Sequence, residues 1–325
     1  MINELFPTRS IQKWPIRTEV VTPTISEMEA QQAAGRMKNK KAAGPDGIPS
    51  EIAKMTVEVC PKYVTEMMNE CLVKGEFPKE WKRANLVLIP KPPKLNTEKK
   101  SYRPICLLDS MAKMLEHILK NRIEEALLRT GGFSNSQYGF RSGRSTIDAM
   151  ERVTSAAMKE KNKTLKTRQL CAAIMIDVKN AFNSVPWDRV MAAMEKRKIP
   201  EYLLQITESY FTDRRIVSEG MERKVYAGVP QGSVLGPTLW NIVYDELLRE
   251  NMPEGVELVA YADDLAIIVK AAKELDLTRR GNEAIRRTTK WMERNGLQIA
   301  HQKTEAVMLS GRKKHEEICF TCGEI

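Results

Sequence analysis

The sequence predicts an α+β fold in which helices pack against one small sheet. Cys171-Ala172-Ala173-Ile174-Met175-Ile176 is a continuous apolar run of strand length that ends in Asp177. Leu258-Val259-Ala260 and Leu265-Ala266-Ile267-Ile268-Val269 flank Tyr261-Ala262-Asp263-Asp264, the pattern of a buried hairpin with two acids at its turn. Around these runs apolar residues recur at helical spacing, giving the order strand, helix, loop, helix, hairpin, helix, strand.

The first forty or so residues are polar and end in Lys38-Asn39-Lys40-Lys41. Ala42-Ala43-Gly44-Pro45-Asp46-Gly47 is turn punctuation that suits a phosphate-holding loop or a solvated one. Ser50 caps a helix expected to run toward Leu72, and Leu86-Val87-Leu88-Ile89 is a strand stopped by Pro90-Lys91-Pro92-Pro93. Met111, Met114, Leu115, Ile118, Leu119 and Ile123 mark a helix that ends by Gly131-Gly132. Gln137-Tyr138-Gly139-Phe140-Arg141 follows, where arginine, glycine and aromatics fit either a nucleic-acid backbone or rings packed in a core.

A helix near Thr146 to Lys159 and a Lys-rich loop lead into the Asp177 strand. Trp187, Val190, Met191 and Met194 then trace an amphipathic helix. Gly228-Val229-Pro230-Gln231-Gly232-Ser233 is a tight loop whose glycines permit close backbone approach, ahead of a helix from about Pro237 to Arg249. After the acidic hairpin come a helix near Leu277 to Asn295, a stop at Gly296, and a last strand-like run to Leu309.

At 325 residues the chain can bury a substantial core. Its net charge of +10 and pI near 9.2 favour a polyanionic partner. Six scattered cysteines form no disulfide framework, and Cys319-Phe-Thr-Cys322, with His315 nearby, lacks the second pair a structural zinc site needs. There is no apolar run of membrane-spanning length and no signal-peptide pattern, so the expectation is a soluble intracellular protein.

Two carboxylates roughly 4 Å apart repel by about 4 kcal/mol at an effective dielectric near 20, and a divalent cation reverses that cost. The Asp263-Asp264 turn therefore reads as a metal site or as a solvated Asp-Asp turn. Asp177, at the end of a separate buried strand, adds the third carboxylate that shifts the balance toward metal. Three convergent acids could hold two Mg²⁺ ions about 3.5 to 4 Å apart, the arrangement used to activate a hydroxyl and steady a leaving phosphate. Phosphoryl transfer requires no histidine or cysteine nucleophile, and His117, His301 and His315 form no zinc or triad pattern.

Ile176-Asp177-Val178-Lys179-Asn180-Ala181-Phe182, then Gly228-Val229-Pro230-Gln231-Gly232-Ser233-Val234-Leu235-Gly236-Pro237, then Tyr261-Ala262-Asp263-Asp264, closely resemble reverse transcriptases of non-LTR (LINE-type) retrotransposons. Ala43-Gly44-Pro45-Asp46-Gly47, Ile89-Pro90-Lys91, Tyr102-Arg103-Pro104-Ile105 and Gly139-Phe140-Arg141 match the same family in the same order, and the resemblance runs from about residue 35 onward. Ala181-Phe182-Asn183-Ser184 and Ala300-His301-Gln302-Lys303-Thr304-Glu305 look most like insect elements that insert into ribosomal RNA genes.

The resemblance implies the fingers and palm of a right-hand polymerase, with a small antiparallel palm sheet: a flank over 1–35, fingers over about 36–168 and palm over about 169–325. It implies that Asp177 and Asp263 ligate two Mg²⁺ ions, Mn²⁺ being an alternative, with the Val178 carbonyl as a further ligand and Asp264 completing the acidic pair. Phe182 matches a steric gate against ribose 2′-hydroxyls, where the bland reading is a core Phe. Gln231 and Gly232 match positions beside the nucleotide sugar and the nascent pair, and Lys91 and Arg103 match triphosphate-binding residues. Arg141 is carried over as a template contact, and Lys303 as a proton donor to pyrophosphate, where the alternative is a surface charge.

The implied reaction joins a dNTP to a DNA primer 3′-hydroxyl on an RNA template at nicked chromosomal DNA, hence in the nucleus, with salt-dependent contacts to the template backbone. The chain stops at Ile325, before the family's Tyr-Leu-Gly hairpin and helical thumb, and shows no upstream endonuclease domain, so it is expected to be a fragment of a larger Pol protein. An inactive nucleic-acid-binding remnant is the alternative; an RNA-dependent RNA polymerase is disfavoured by Phe182 and the Pro230-Gln231-Gly232 loop.

Overall fold

The computed structural model describes residues 2–15, 17, 20–91, 102–164, 166–310 and 318–322. In chain order the elements are α1 (Ile2–Leu5), α2 (Glu27–Gly35), α3 (Ser50–Val59), α4 (Pro61–Lys74), β1 (Arg83–Pro90), β2 (Tyr102–Leu107) and α5 (Ser110–Arg129). Then come α6 (Thr146–Lys161), β3 (Leu170–Ile176), α7 (Ala181–Ser184), α8 (Trp187–Lys196), α9 (Glu201–Phe211), β4 (Arg215–Ser218) and β5 (Met221–Lys224). The chain continues with α10 (Gly236–Leu248), β6 (Val256–Tyr261), β7 (Asp264–Ala271), α11 (Glu274–Arg294), a 3₁₀ turn at His301–Lys303, and β8 (Glu305–Ser310). It forms two compact units, Met1–Gly132 with Phe182–Trp240, and Phe133–Ala181 with Asn241–Ile325.

The first unit carries a sheet of order β2-β1-β4-β5, antiparallel except for the β1–β4 pair. Pro104 is tolerated because β2 is an edge strand. The β4–β5 hairpin turns through Glu219 and Gly220, both at positive φ as a type I′ turn requires. Ala84, Leu86, Cys106, Leu108 and Ile216 gather on one face of this sheet with Phe6. Beside it α2 packs against α3, α4 and α5 through fully buried Ala30 and Ala33, whose small side chains permit close approach.

Three expectations for this part of the chain are corrected. The helix expected from Ser50 toward Leu72 is two helices. Pro61 lacks an N–H and its ring clashes with the preceding turn, so it ends α3 at Cys60 and opens α4 at the first position. There are two sheets rather than one small one, because β1 pairs with β2 and β4 apart from the acidic sheet; β4 and β5, four residues each, show no clean alternation that would have marked it. The polar N-terminal stretch contributes α2, capped by Ser26, whose buried face is alanine and so escapes a search for large apolar residues.

The second unit holds a wholly antiparallel sheet of order β6-β7-β3-β8. One face, with Cys171, Val259, Ala266 and Ile268, packs with Ala149 and Ala156 of α6 and with Tyr138. The alternate residues Leu265, Ile267 and Val269 are also fully buried, and α11 lies over that face with Gly281 against Ile174. Cover on both faces explains why β3 and β7 read as continuous apolar runs although the sheet is antiparallel. The sequence placed β3, the β6–β7 hairpin, α6, α10 and α11 within a few residues of their observed limits.

Candidate active site

Asp177 leaves the sheet directly after β3, and the pairing of Ile176 with Leu265 sets it beside Asp264, the first residue of β7. Tyr261 pairs with Asp264, so the hairpin loop is only Ala262-Asp263, and all three acids emerge at one end of one sheet. Ala262 has φ +60 and Asp263 does not share the positive φ, a pattern of type II′ turns in which the first loop residue is ordinarily glycine.

The chain after β3 is anchored by an antiparallel bridge between Val178 and Ile299. Ala300 N–H donates to the Asp177 carbonyl at 2.8 Å and Lys179 N–H to the Gln298 carbonyl at 2.8 Å. Because successive carbonyls alternate along a strand, that bridge leaves the Val178 carbonyl facing away from Ile299.

The same anchoring brings Lys303 to the acids, its ammonium 2.6 Å from an Asp177 carboxylate oxygen. Packing of the chain and then the neighbouring Asp177 charge hold the Asp264 carboxyl above the usual range although the residue is open to solvent; Lys303 opposes both effects. Tyr244 of α10 is fully buried, and its hydroxyl donates to the Asp263 carbonyl at 3.4 Å. Its phenol is pushed far up by burial and then by Asp263, Asp264 and Asp177, which ties all three carboxylates to one neighbourhood.

Among the described residues no three carboxylate, imidazole or thiol groups already stand as a cation cage. The donor chemistry nevertheless fits a hard divalent ion: oxygen ligands only, an Asp264 carboxyl that packing and then Asp177 hold above its usual range, and a lysine supplying the counter-charge.

The Gln137–Arg141 segment belongs to this site rather than to an exposed nucleic-acid surface alone. It bridges β6 in parallel, with Tyr138 N–H to the Ala260 carbonyl at 2.8 Å and Ala260 N–H to the Ser136 carbonyl at 2.8 Å. Gln137 is 1% exposed, and its side chain meets the backbone of Ala262. A Cβ on Gly139 would lie 2.1 Å from Ala262 N, so this glycine is required by close approach. Tyr138 is buried with Arg144 stacked over its ring at 5.0 Å, whereas Phe140 is exposed, so the two aromatics divide between core and surface. Arg141, expected at the template, donates to the Ser134 carbonyl at 2.6 Å and the Gln137 carbonyl at 3.1 Å, bracing its own loop. The sequence showed no role for Gln137 or Tyr244; a glutamine two residues before a glycine was the only local signal.

The remaining expected residues lie in the first unit. Arg103 pairs across the sheet with Ile89, and Lys91 directly follows Pro90, which pairs with Tyr102, so both exposed cations sit at one end of the β1–β2 ladder. The Gly228–Gly236 loop is pinned along its length. Gly228 N–H donates to Val185 at 2.7 Å, Val229 N–H to Phe182 at 2.6 Å, and the Gln231 carbonyl accepts from Cys106 N–H at 2.7 Å. Gly232 has φ +112 and would place a Cβ 2.5 Å from the Cys106 carbonyl oxygen. Fully buried Glu116 accepts from Val234 N–H at 2.5 Å and Leu235 N–H at 3.1 Å, an anchoring acid hidden within the apolar stripe of α5. Phe182 is 7% exposed and stacks on Trp240 at 5.5 Å between centroids.

Two further motifs resolve differently. Gly44 of the Gly-Pro-Asp-Gly loop abuts Asp109, whose carboxylate accepts from Asp46 N–H at 3.1 Å. Cys322 lies 3.4 Å from His301 Nδ1 and Cys319 is exposed, while His315 falls outside the described residues.

Residues 89–321 match the family model for reverse transcriptase (RNA-dependent DNA polymerase). The chain is 31% identical over 316 residues to a putative 115 kDa protein in the type-1 retrotransposable element R1DM of Drosophila melanogaster, covering 96% of this chain and 30% of the relative. It is 29% identical over 321 residues to a retrovirus-related Pol polyprotein from type-1 element R1 of Bradysia coprophila, covering 96% and 31%. It is 30% identical over 300 residues to a probable RNA-directed DNA polymerase from transposon BS of Drosophila melanogaster, covering 89% and 33%. The chain thus spans about a third of the length of these curated relatives.

Proposed function

Because the chain belongs to the reverse transcriptase (RNA-dependent DNA polymerase) family, we propose that it carries the polymerase centre of a non-LTR retrotransposon protein of the R1 kind. The reaction is templated transfer of a nucleotide from a dNTP to a DNA primer 3′-hydroxyl, with RNA as template. One observation carries this reading: the β3–β7 register sets Asp177 beside the acidic hairpin of Asp263 and Asp264.

In this reading the antiparallel sheet of the second unit is the palm and the β1–β2 hairpin belongs to the fingers. Asp177, Asp263, Asp264 and the Val178 carbonyl would hold two Mg²⁺ ions, or Mn²⁺ in their place. When bound, such ions lower the pKa of the attacking hydroxyl and neutralise the leaving phosphate oxygens.

The chain's own residues orient the reactants. Lys303, already 2.6 Å from Asp177, supplies a proton to the departing pyrophosphate. Arg103 and Lys91 bind the triphosphate, for which the planar guanidinium fork is suited. Gln231, fixed through its carbonyl to β2, contacts the sugar, and Gly232 lies against the nascent pair. Phe182, held flat against Trp240, forms a rigid wall where a ribose 2′-hydroxyl would otherwise fit. Synthesis at nicked chromosomal DNA places the work in the nucleus. Among the described residues no helix is long and apolar enough to cross a membrane.

The test is primer extension on an RNA template with dNTPs and Mg²⁺. Asp263→Asn is expected to cut the rate on the order of a thousandfold while leaving template binding in place. Full activity in that variant would sink the assignment.

A further inference from the structure

Resting on the polymerase reading, we propose that Gln137 is a positioning residue of the acidic hairpin, clamping the Ala262 peptide so that the Asp263 carboxylate is presented in one orientation.

Three observations converge on it. Gly139 N–H at 2.9 Å and Ala262 N–H at 3.3 Å both point at Gln137 Oε1, while Gln137 Nε2 donates to the Ala262 carbonyl at 3.4 Å. Two backbone donors meeting at one atom identify that atom as the amide oxygen, which fixes the amide orientation. The side chain thereby serves both the N–H and the C=O of one turn residue, as a partner strand would. Only a primary amide has the donor and the acceptor for this task. Ionised glutamate lacks the donor, methionine lacks both, and asparagine is a methylene too short.

Ala262 is also where such support is needed. A non-glycine residue at φ +60 is uncommon, and here it directly precedes Asp263 in a two-residue loop. Rotation of its peptide would swing the acid. The clamp is itself immobilised: Gln137 is buried, its segment is laddered to Ala260 on both sides, and the Gly139 carbonyl accepts from buried Asn241 at 3.0 Å. Arg141 braces the Gln137 carbonyl from below. The contacts run between residues 125 apart in sequence, so they act on the hairpin from outside it.

The test compares the full chain with Gln137→Met and Gln137→Glu by amide hydrogen exchange over residues 257–266 and by steady-state primer extension. In Gln137→Met the hairpin amides are expected to exchange about tenfold or more faster while α11 peptides are unaffected. With it, kcat should fall about tenfold to a hundredfold, since a displacement near 1 Å suffices for that loss. KM for dNTP should stay within about threefold, because a clamp that acts through Asp263 leaves nucleotide binding alone. Gln137→Glu, which keeps both acceptor contacts, should fall between wild type and Gln137→Met, and it decides the matter where Gln137→Met does not fold. Unchanged hairpin exchange and unchanged kcat in a folded variant would overturn the proposal. Hydrogen exchange reads the clamp whether or not the wild-type chain polymerises, so an inactive wild type would count against the polymerase reading and not against Gln137.

Discussion

Asp264 shows what the acidic centre costs the fold. Its carboxyl is held above the usual range by the chain packed around it and then by Asp177, so the folded chain keeps that proton to a higher pH than the unfolded chain does. Stability from this group is therefore greatest at low pH and declines as pH rises through its folded value. Asp264→Asn removes a charge that the fold disfavours. The variant should melt higher than wild type at pH 7, lose that advantage near pH 4, and be severely impaired in primer extension; calorimetry at the two pH values checks it. Function opposes stability at such sites. The acids themselves were legible because a pair of aspartates between apolar runs is locally anomalous. Gln137, Tyr244 and Glu116 were not, because an isolated Gln, Tyr or Glu has many uses and only the fold shows which backbone it meets.

At the scale of elements, α5 carries a second titration. His117 is half-buried on it, its Nδ1 has no partner among the described residues, and burial, then Lys120 and Arg36, push the imidazole down to about 4. The folded chain keeps the ring neutral where the unfolded chain protonates near pH 6.5, so its contribution is intact above pH 6.5 and lost as pH falls toward 4. That loss amounts to at most about 3 kcal/mol. His117→Gln should flatten the acid limb of urea-unfolding free energy between pH 6.5 and 4, and an unchanged slope would remove His117 as its source. The helix of α5 was readable from its apolar period and α11 from its Gly296 stop, and α6 was placed as well, its Ser145–Asp148 capping box emerging only in the structure. The α3–α4 break, the alanine-faced α2 and the short charged β4–β5 hairpin were not. Pro61 is a local mark of the break, whereas α2 and the β4–β5 hairpin carry no apolar period and depend on α5 and β1, distant in sequence.

For the whole molecule, chain order and spatial grouping differ. The first unit needs β1 beside β4, from opposite halves of the sequence, and each unit is built from two separated stretches of the chain. A chain cut between Arg168 and Gln169 should therefore leave residues 1–168 without cooperative unfolding, because β1 loses β4, while mixing with residues 169–325 restores it; circular dichroism during urea titration measures this. Independent cooperative folding of residues 1–168 would contradict the pairing described.

Family membership, the α+β class and the acidic chemistry were determined by the sequence alone, because residue identities, motif order and strand or helix period are local properties of the chain. Which contacts the acids and their turn make was decided only by tertiary structure. Lys303 reaches Asp177 across 126 residues and Gln137 reaches Ala262 across 125, and contacts of that span arise from sheet register and loop packing, which no local pattern encodes.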